Sequence, residues 1–164
     1  MSHQPVIDGF EFASAGAAQQ GKLPLSGFSR LRDLLASDAG EVAYGIQGLR
    51  DARGRPSLRL NVRGRLQLRC QRCLEAMAYE VDAEDFLVLA STQAEIDADP
   101  EDAEAPDRVL GGKSMAVQEL VEDELILALP YAPRHERCNP GAAPQKDGKV
   151  SPFAGLKGLL RDGD

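Results

Sequence analysis

The stretch SLRLNVRGRLQLR, residues 57–69, decides the fold, because apolar and polar side chains alternate along it. A period of two is typical of a β-strand, whose successive side chains point to opposite faces of a sheet. One face of this strand consists of leucine and valine, and the other is rich in arginine. The pattern therefore predicts a long, half-buried strand.

A second alternating segment follows over residues 74–85. We expect the two strands to form an antiparallel hairpin that closes around Gln71 and Arg72, since this register keeps both faces consistent. The facing pairs are then Leu66 with Met77, Val62 with Val81, Leu60 with Ala83, Arg63 with Glu80, and Arg59 with Glu84.

Shorter patterns lie on either side of the hairpin. Residues 42–46 alternate weakly and predict another strand, and the apolar spacing of residues 26–36 predicts a short helix. Residues 114–129 predict a longer helix that Ser114 caps and Pro130 ends. The acids of this helix are expected on its outer face: Glu119, Glu122, Asp123 and Glu124. The fold class is α+β, an antiparallel twisted sheet or partial barrel with one long and one short flanking helix.

The length of the chain suits one domain with tails. We expect a flexible N-terminal arm over residues 1–21 and a single α+β domain over residues 22–138. Within that domain, residues 91–107 are acidic and broken by prolines, and they predict a mobile loop. Residues 139–164 predict a flexible tail that carries an apolar motif over residues 152–160.

Charge is distributed unevenly along the chain. The 164 residues contain 19 Lys and Arg against 26 Asp and Glu, and the net charge of −7 argues against a general nucleic-acid coat. Residues 50–72 nevertheless hold eight arginines and one acid, whereas residues 74–107 hold twelve acids and no lysine or arginine. A strongly basic segment thus lies beside a strongly acidic one.

Composition also indicates the compartment. No apolar run is long enough to span a membrane, and residues 1–12 lack the features of a secretory signal. Three cysteines do not suggest a disulfide framework. We therefore expect a cytoplasmic protein.

Four residues have the spacing of a metal site: Cys70, Cys73, His135 and Cys138. A Cys-x-x-Cys sequence at a hairpin turn directs two thiolates at one zinc ion, and the later His-x-x-Cys would complete a tetrahedral Cys₃His set. Zinc is therefore the candidate cofactor. The alternative is a partly buried pair of thiols with an exposed histidine and cysteine near the tail. A redox pair is disfavoured, because redox motifs of this kind open a helix after a strand.

Arginines are the candidate contacts to RNA or to an acidic partner, since guanidinium groups bind phosphates well. In the predicted register, Arg59 and Arg63 face acids across the hairpin. The other arginines have no evident partner and form the predicted contact surface: Arg50, Arg53, Arg55, Arg65, Arg69 and Arg72. No aromatic residues are interleaved with them, so base stacking is not expected.

The apolar motif of the tail either binds its own domain or serves as a short linear motif for a partner protein. Its residues are Pro152, Phe153, Leu156, Leu159 and Leu160. We do not expect an enzyme and identify no catalytic residues, because the chain lacks a phosphate-binding glycine loop, a nucleophile elbow and a recognisable catalytic set.

Four features together resemble the YceD family, the bacterial large ribosomal RNA subunit accumulation proteins. They are LRCQRCLE at residues 68–75, ELVEDELILALP at residues 119–130, His135 with Cys138, and Pro-Phe-Ala-x-Leu at residues 152–156. The resemblance spans roughly residues 20–160. It implies a cytoplasmic, non-enzymatic factor that supports the synthesis, processing or stability of 23S rRNA, and it supplies no molecular mechanism.

The leading hypothesis is therefore a ribosome-biogenesis factor. Its expected partners are 23S rRNA or a pre-50S assembly intermediate, together with a ribosomal or RNA-processing protein. The alternative is a protein-binding adaptor that acts through its acidic surface and the tail motif without touching RNA. A zinc-dependent or redox enzyme is a third class, and it would require an activity that depends on Cys73.

Overall fold

The computed structural model describes residues 5–98 and 105–138, which form an α+β fold around a mixed sheet. The strands are β1 (Val6–Ile7), β2 (Ala18–Pro24), β3 (Leu35–Ser37), β4 (Glu41–Arg50), β5 (Pro56–Arg69), β6 (Ala76–Ala90), β7 (Arg108–Leu110) and β8 (Met115–Ala116). The helices are α1 (Gly9–Ala15), α2 (Gln93–Asp97) and α3 (Val117–Ala128), with 3₁₀ turns at Leu25–Gly27 and Leu31–Leu34.

Six strands form the main sheet, in the order β2-β4-β5-β6-β7, with β3 paired to β5. Neighbouring strands are antiparallel except β6 and β7, which run parallel. Within the described residues, β2 and β7 do not pair with each other, so the sheet is open and not a closed barrel. The α+β class is confirmed, and the sheet is mostly antiparallel.

The inner face of β5 is the centre of the core. Its apolar side chains are at most 1% exposed, and they are Leu58, Leu60, Val62, Leu66 and Leu68. Each buried side chain of this kind stabilises the fold by roughly 1.5–3 kcal/mol. Because a slip of one residue would turn all five toward solvent, the inner and outer faces of β5 are strongly specified.

The register of the hairpin differs from the prediction by two residues. Leu66 faces Tyr79, Val62 faces Ala83, and Arg63 faces Asp82. The loop between the strands runs from residue 70 to residue 75, so it is wider than a turn closed around residues 71 and 72. A shift of two preserves both faces, which is why the predicted faces are correct although the directly facing pairs are wrong. Arg59 and Glu84 are no longer opposite each other but still form an ion pair at 3.9 Å.

Residues 26–36 do not form the predicted α-helix. They form the two 3₁₀ turns and β3, and Leu25, Phe28 and Leu31 are fully buried. These three residues are spaced by three, which is the period of a 3₁₀ helix. The predicted long helix corresponds to α3, but its N-cap is Ala116 and not Ser114.

Two of the helix acids, Glu122 and Glu124, are buried, although an outer position was predicted for them. Glu122 anchors the 3₁₀ turns from within the core. Glu122 is 4% exposed and accepts the backbone N–H groups of Arg30 and Leu31 at 2.7 and 3.0 Å. Its carboxylate also pairs with the Arg30 guanidinium at 3.2 Å. Glu122 thus satisfies two backbone N–H groups at the start of the second 3₁₀ turn, which would otherwise be buried without a partner.

Residues 5–21 are not the predicted arm, because they contribute β1, α1 and the start of β2. Asp8 caps α1, and Gly16 ends it in the left-handed conformation. A side chain on Gly48 would collide with the backbone of Phe12 and Ala13, so small residues let α1 pack closely on β4. Because residues 5–21 are mostly small and polar, their sequence did not predict a helix.

Two further expectations concern segments near the limits of the described residues. The predicted acidic loop contains α2, which Thr92 caps, and residues 99–104 of that loop lie outside the described residues. The tail over residues 139–164, with Pro152, Phe153, Leu156, Leu159 and Leu160, also lies outside them. None of the described helices is long and apolar enough to cross a membrane.

Candidate metal centre and arginine surfaces

The loop between β5 and β6 presents the first pair of cysteines. The Cys70 N–H donates to the Glu75 carbonyl at 2.9 Å, and the Leu74 N–H donates to the Cys70 carbonyl at 2.9 Å. Leu74 has a φ of +64°, in the left-handed region that residues with a side chain rarely adopt. This tight closure buries Cys70 completely and leaves Cys73 half-buried beside it.

The segment after α3 returns to this loop and supplies the second pair. The Gln71 N–H donates to the Pro133 carbonyl at 2.8 Å, which fixes residues 131–138 against the hairpin. The Sγ atoms of Cys70 and Cys138 are 3.6 Å apart, and Cys73 Sγ lies 3.3 Å from His135 Nδ1. The four side-chain atoms all lie within 4.8 Å of one another. We call these four residues the Cys₃His cluster.

The donor set and its spacing fit a tetrahedral zinc site. With Zn–S bonds of about 2.3 Å, two sulfurs of a regular tetrahedron are about 3.8 Å apart, close to the separation of Cys70 and Cys138. The three cysteines are free thiols, so no disulfide competes for the sulfurs. The geometry brings together all four residues predicted from the sequence.

Contacts around the cluster orient its ligands. The His135 Nε2 atom lies 3.2 Å from the Ala76 carbonyl, which leaves Nδ1 directed at the sulfurs. Metal-binding histidines commonly donate their second ring N–H in this manner, and the donation fixes the tautomer. The Arg72 N–H donates to Cys70 Sγ at 3.4 Å and supports negative charge on that sulfur.

Electrostatics favour a thiolate at one cysteine and oppose a second. Burial raises the pKa of Cys70, but hydrogen bonds from Cys73, His135 and Arg72 outweigh it and lower the pKa to about 5. Burial raises the pKa of Cys138, and its hydrogen bonds and charge repulsion with Cys70 and Cys73 raise it further. Three thiolates at this spacing therefore need a cation among them, which is the condition that a bound metal ion meets.

Each residue of the Cys₃His cluster directly follows an arginine. The pairs are Arg69-Cys70, Arg72-Cys73, Arg134-His135 and Arg137-Cys138. All four arginines are exposed, and none forms an ion pair within the part of the chain that the structure describes. We call them the flanking arginines. Sequence reasoning identified Arg69 and Arg72 but missed Arg134 and Arg137, although their position beside two candidate ligands was a visible signal.

The outer face of the hairpin, in contrast, is internally paired. Arg63 contacts Asp82 at 2.8 Å, Arg65 contacts Glu80 at 3.4 Å, and Arg59 contacts Glu84 at 3.9 Å. The prediction that Arg65 has no partner is wrong, because the two-residue shift of register brings Glu80 opposite it. Arg65 is therefore a poorer candidate for contact with a phosphate.

The turn arginines before β5 form a separate site. Arg55 pairs with Asp51 at 2.6 Å, and Arg50 donates to the Gly54 carbonyl at 3.0 Å. Arg53 is exposed and its backbone N–H donates to Asp51. Since β5 is 14 residues long, about 43 Å of strand separates these arginines from Arg69. The six predicted arginines thus do not form one surface.

We predict that Asp51 stabilises the fold in a pH-dependent manner. Burial raises the pKa of Asp51, but hydrogen bonds from Arg55 and Arg53 and the charge of Arg55 bring it below its ordinary value. Such a group stabilises the protein above its unfolded pKa, and the contribution is lost as the pH falls through its folded pKa. Asp51→Asn should therefore lower the melting temperature at pH 7, and the difference should shrink below about pH 4.

The matched control for this prediction is Asp82→Asn. That carboxylate also pairs with an arginine, but it is 70% exposed, and exposed ion pairs contribute little. A deficit for Asp51→Asn that is the same at pH 3 and pH 7 would contradict the prediction.

Comparison with known families gives one match. Residues 58–160 match the family model described as "Large ribosomal RNA subunit accumulation protein YceD". The matched residues include all but the first two residues of β5, together with β6, the Cys₃His cluster and α3, and they make up more than half of the chain. No curated protein and no solved structure matches the chain significantly.

Proposed function

The chain belongs to the YceD family, and we propose that it is a ribosome-biogenesis factor that supports the synthesis, processing or stability of 23S rRNA. The family match carries this proposal, since its description names accumulation of the large ribosomal RNA subunit. The factor acts in the cytoplasm without catalysing a reaction. Its partner is 23S rRNA or a pre-50S intermediate, with a ribosomal or RNA-processing protein as a further contact.

We infer that the Cys₃His cluster holds one structural zinc ion. The ion supplies the positive charge that three neighbouring thiolates require, and it ties the loop after β5 to the segment after α3. The four protein ligands would fill a tetrahedral coordination shell, as in structural and not catalytic zinc sites. The donor set and the 3.6 Å separation of two sulfurs support this assignment.

The flanking arginines are the proposed contact to RNA phosphates. They come from two segments whose nearest members, Arg72 and Arg134, are 62 residues apart in the chain, and the cluster draws those segments together. Unpaired, exposed guanidinium groups bind phosphate without first breaking an internal ion pair. The acidic charge elsewhere in the chain opposes indiscriminate binding, so the contact is confined to this end of the domain.

Depletion of the protein tests the proposed function. We expect the molar ratio of 23S to 16S rRNA to fall, because loss of a factor for the large subunit spares the small subunit. The ratio of 23S to 16S rRNA should return to its value before depletion when the wild-type chain is expressed again. A balanced ratio after depletion, with total rRNA unchanged, would remove the proposed role in 23S accumulation.

A further inference from the structure

A cleft of about 350 Å³ opens between α3, β6 and β7, away from the Cys₃His cluster. Its lining includes apolar side chains of β5, β6 and α3, among them Leu60, Leu87 and Ile126. Four carboxylates also line it: Asp85, Asp107, Asp123 and Glu124. The cleft therefore combines an apolar surface with a strongly acidic one.

Glu124 is the unusual residue of this cleft. It is 9% exposed, and it has no hydrogen bond or ion pair with the rest of the described chain. Burial raises its pKa, and the nearby charges of Asp85 and Asp107 raise it further. In its ionised form, a carboxylate in this position destabilises the fold unless a cation lies beside it.

The two arginines that line the cleft are already engaged. Arg30 pairs with Glu122 and Asp123, and Arg108 donates to the Glu95 carbonyl. A positive charge to pair with Glu124 must therefore come from outside the described residues. A hydrated metal ion would satisfy the carboxylates but leave the apolar lining exposed, whereas a lysine or arginine carried on an apolar segment satisfies both.

The chain itself contains a segment with this chemistry. Residues 152–161 carry two cations and no acid, and each cation directly follows a leucine, as Leu156-Lys157 and Leu160-Arg161. The family match also continues to residue 160, well past the last described residue. The net charge of the cleft is complementary to that of the segment.

The segment can reach the cleft. The described chain ends at Cys138 beside Cys70, and ten residues of β5, about 33 Å, separate that position from Leu60 in the cleft. The 15 residues from Cys138 to Phe153 span up to about 50 Å when extended. No rearrangement of the domain is needed.

We propose that residues 152–161 of the chain bind in the cleft between α3, β6 and β7, with a basic side chain beside Glu124 and the leucines on the apolar lining. The cleft is thus an intramolecular docking surface for the tail motif. This inference is independent of zinc and of the contact with rRNA.

Site-specific photo-crosslinking of the full chain tests this proposal. Leu127 lines the cleft and is 71% exposed, so benzoylphenylalanine at this position leaves the core intact. Irradiation of dilute protein should give an adduct within one chain between position 127 and residues 152–161. The same probe at Gln47, on the outer face of the sheet, should give no such adduct.

Two charge-reversal variants test whether the adduct depends on specific binding of the segment or only on its closeness to the cleft. Lys157→Glu with Arg161→Glu should lower the adduct yield about tenfold, the effect of losing one charge-assisted contact. Lys146→Glu with Lys149→Glu makes the same charge change outside the segment and should leave the yield unchanged. Equal yields in both variants would overturn the proposal, as would adducts that form only between two copies and increase with protein concentration.

Discussion

His135→Ala should abolish stoichiometric zinc binding, whereas His3→Ala should leave about one zinc ion per chain. The two variants are matched, because these are the two histidines of the chain and only His135 belongs to the Cys₃His cluster. Loss of an outer contact to a metal ligand already costs about 10–100-fold in affinity, so loss of a ligand should cost more than about 100-fold. Metal analysis of protein purified without chelators measures the difference.

The structural consequence of zinc loss should be local. The inner face of β5 and its partners do not depend on the cluster, so the sheet should remain folded. Residues 70–75 and 131–138 are held together chiefly by the cluster and by the contact of Gln71 with Pro133, so they should lose protection from hydrogen exchange. Clearly substoichiometric zinc in the wild-type chain, or unchanged protection of these segments in His135→Ala, would argue against a structural zinc ion.

The hairpin of β5 and β6 shows which part of the architecture could be predicted from the sequence. Alternation along residues 57–69 identified β5 and its two faces, because a period of two survives any even shift of register. The register itself depends on the width of the loop over residues 70–75. That width follows from the left-handed Leu74 and from convergence with a segment about 60 residues away, and neither leaves a periodic signal.

Elements without periodicity were the ones missed. The helix α1 is seven residues long and packs through small residues such as Ala13, so its sequence looks like that of a flexible segment. In residues 26–36 the apolar spacing suits both an α-helix and 3₁₀ turns. Glu122, which lies 91 residues away from Leu31, accepts its N–H and thereby stabilises the start of the second 3₁₀ turn. Tertiary contacts therefore decided the local structure there.

Arg69→Glu with Arg72→Glu should weaken association with pre-50S particles about 100-fold at low salt. Each hydrogen bond to a charged group contributes roughly 1.5–3 kcal/mol, so two lost phosphate contacts account for that factor. The dependence of binding on salt should also become shallower, with a slope reduced by about two. Co-sedimentation in sucrose gradients at several salt concentrations measures both effects.

The matched control is Arg63→Glu with Arg65→Glu. It reverses the same number of charges on the same hairpin, but these arginines are already paired with Asp82 and Glu80. Because phosphate must compete with those carboxylates, the control should retain most of the association. Both variants must keep their zinc content, so that the flanking arginines are tested separately from the Cys₃His cluster. Equal losses in the two variants would indicate a general charge effect, and unchanged association in both would exclude the flanking arginines as the RNA contact.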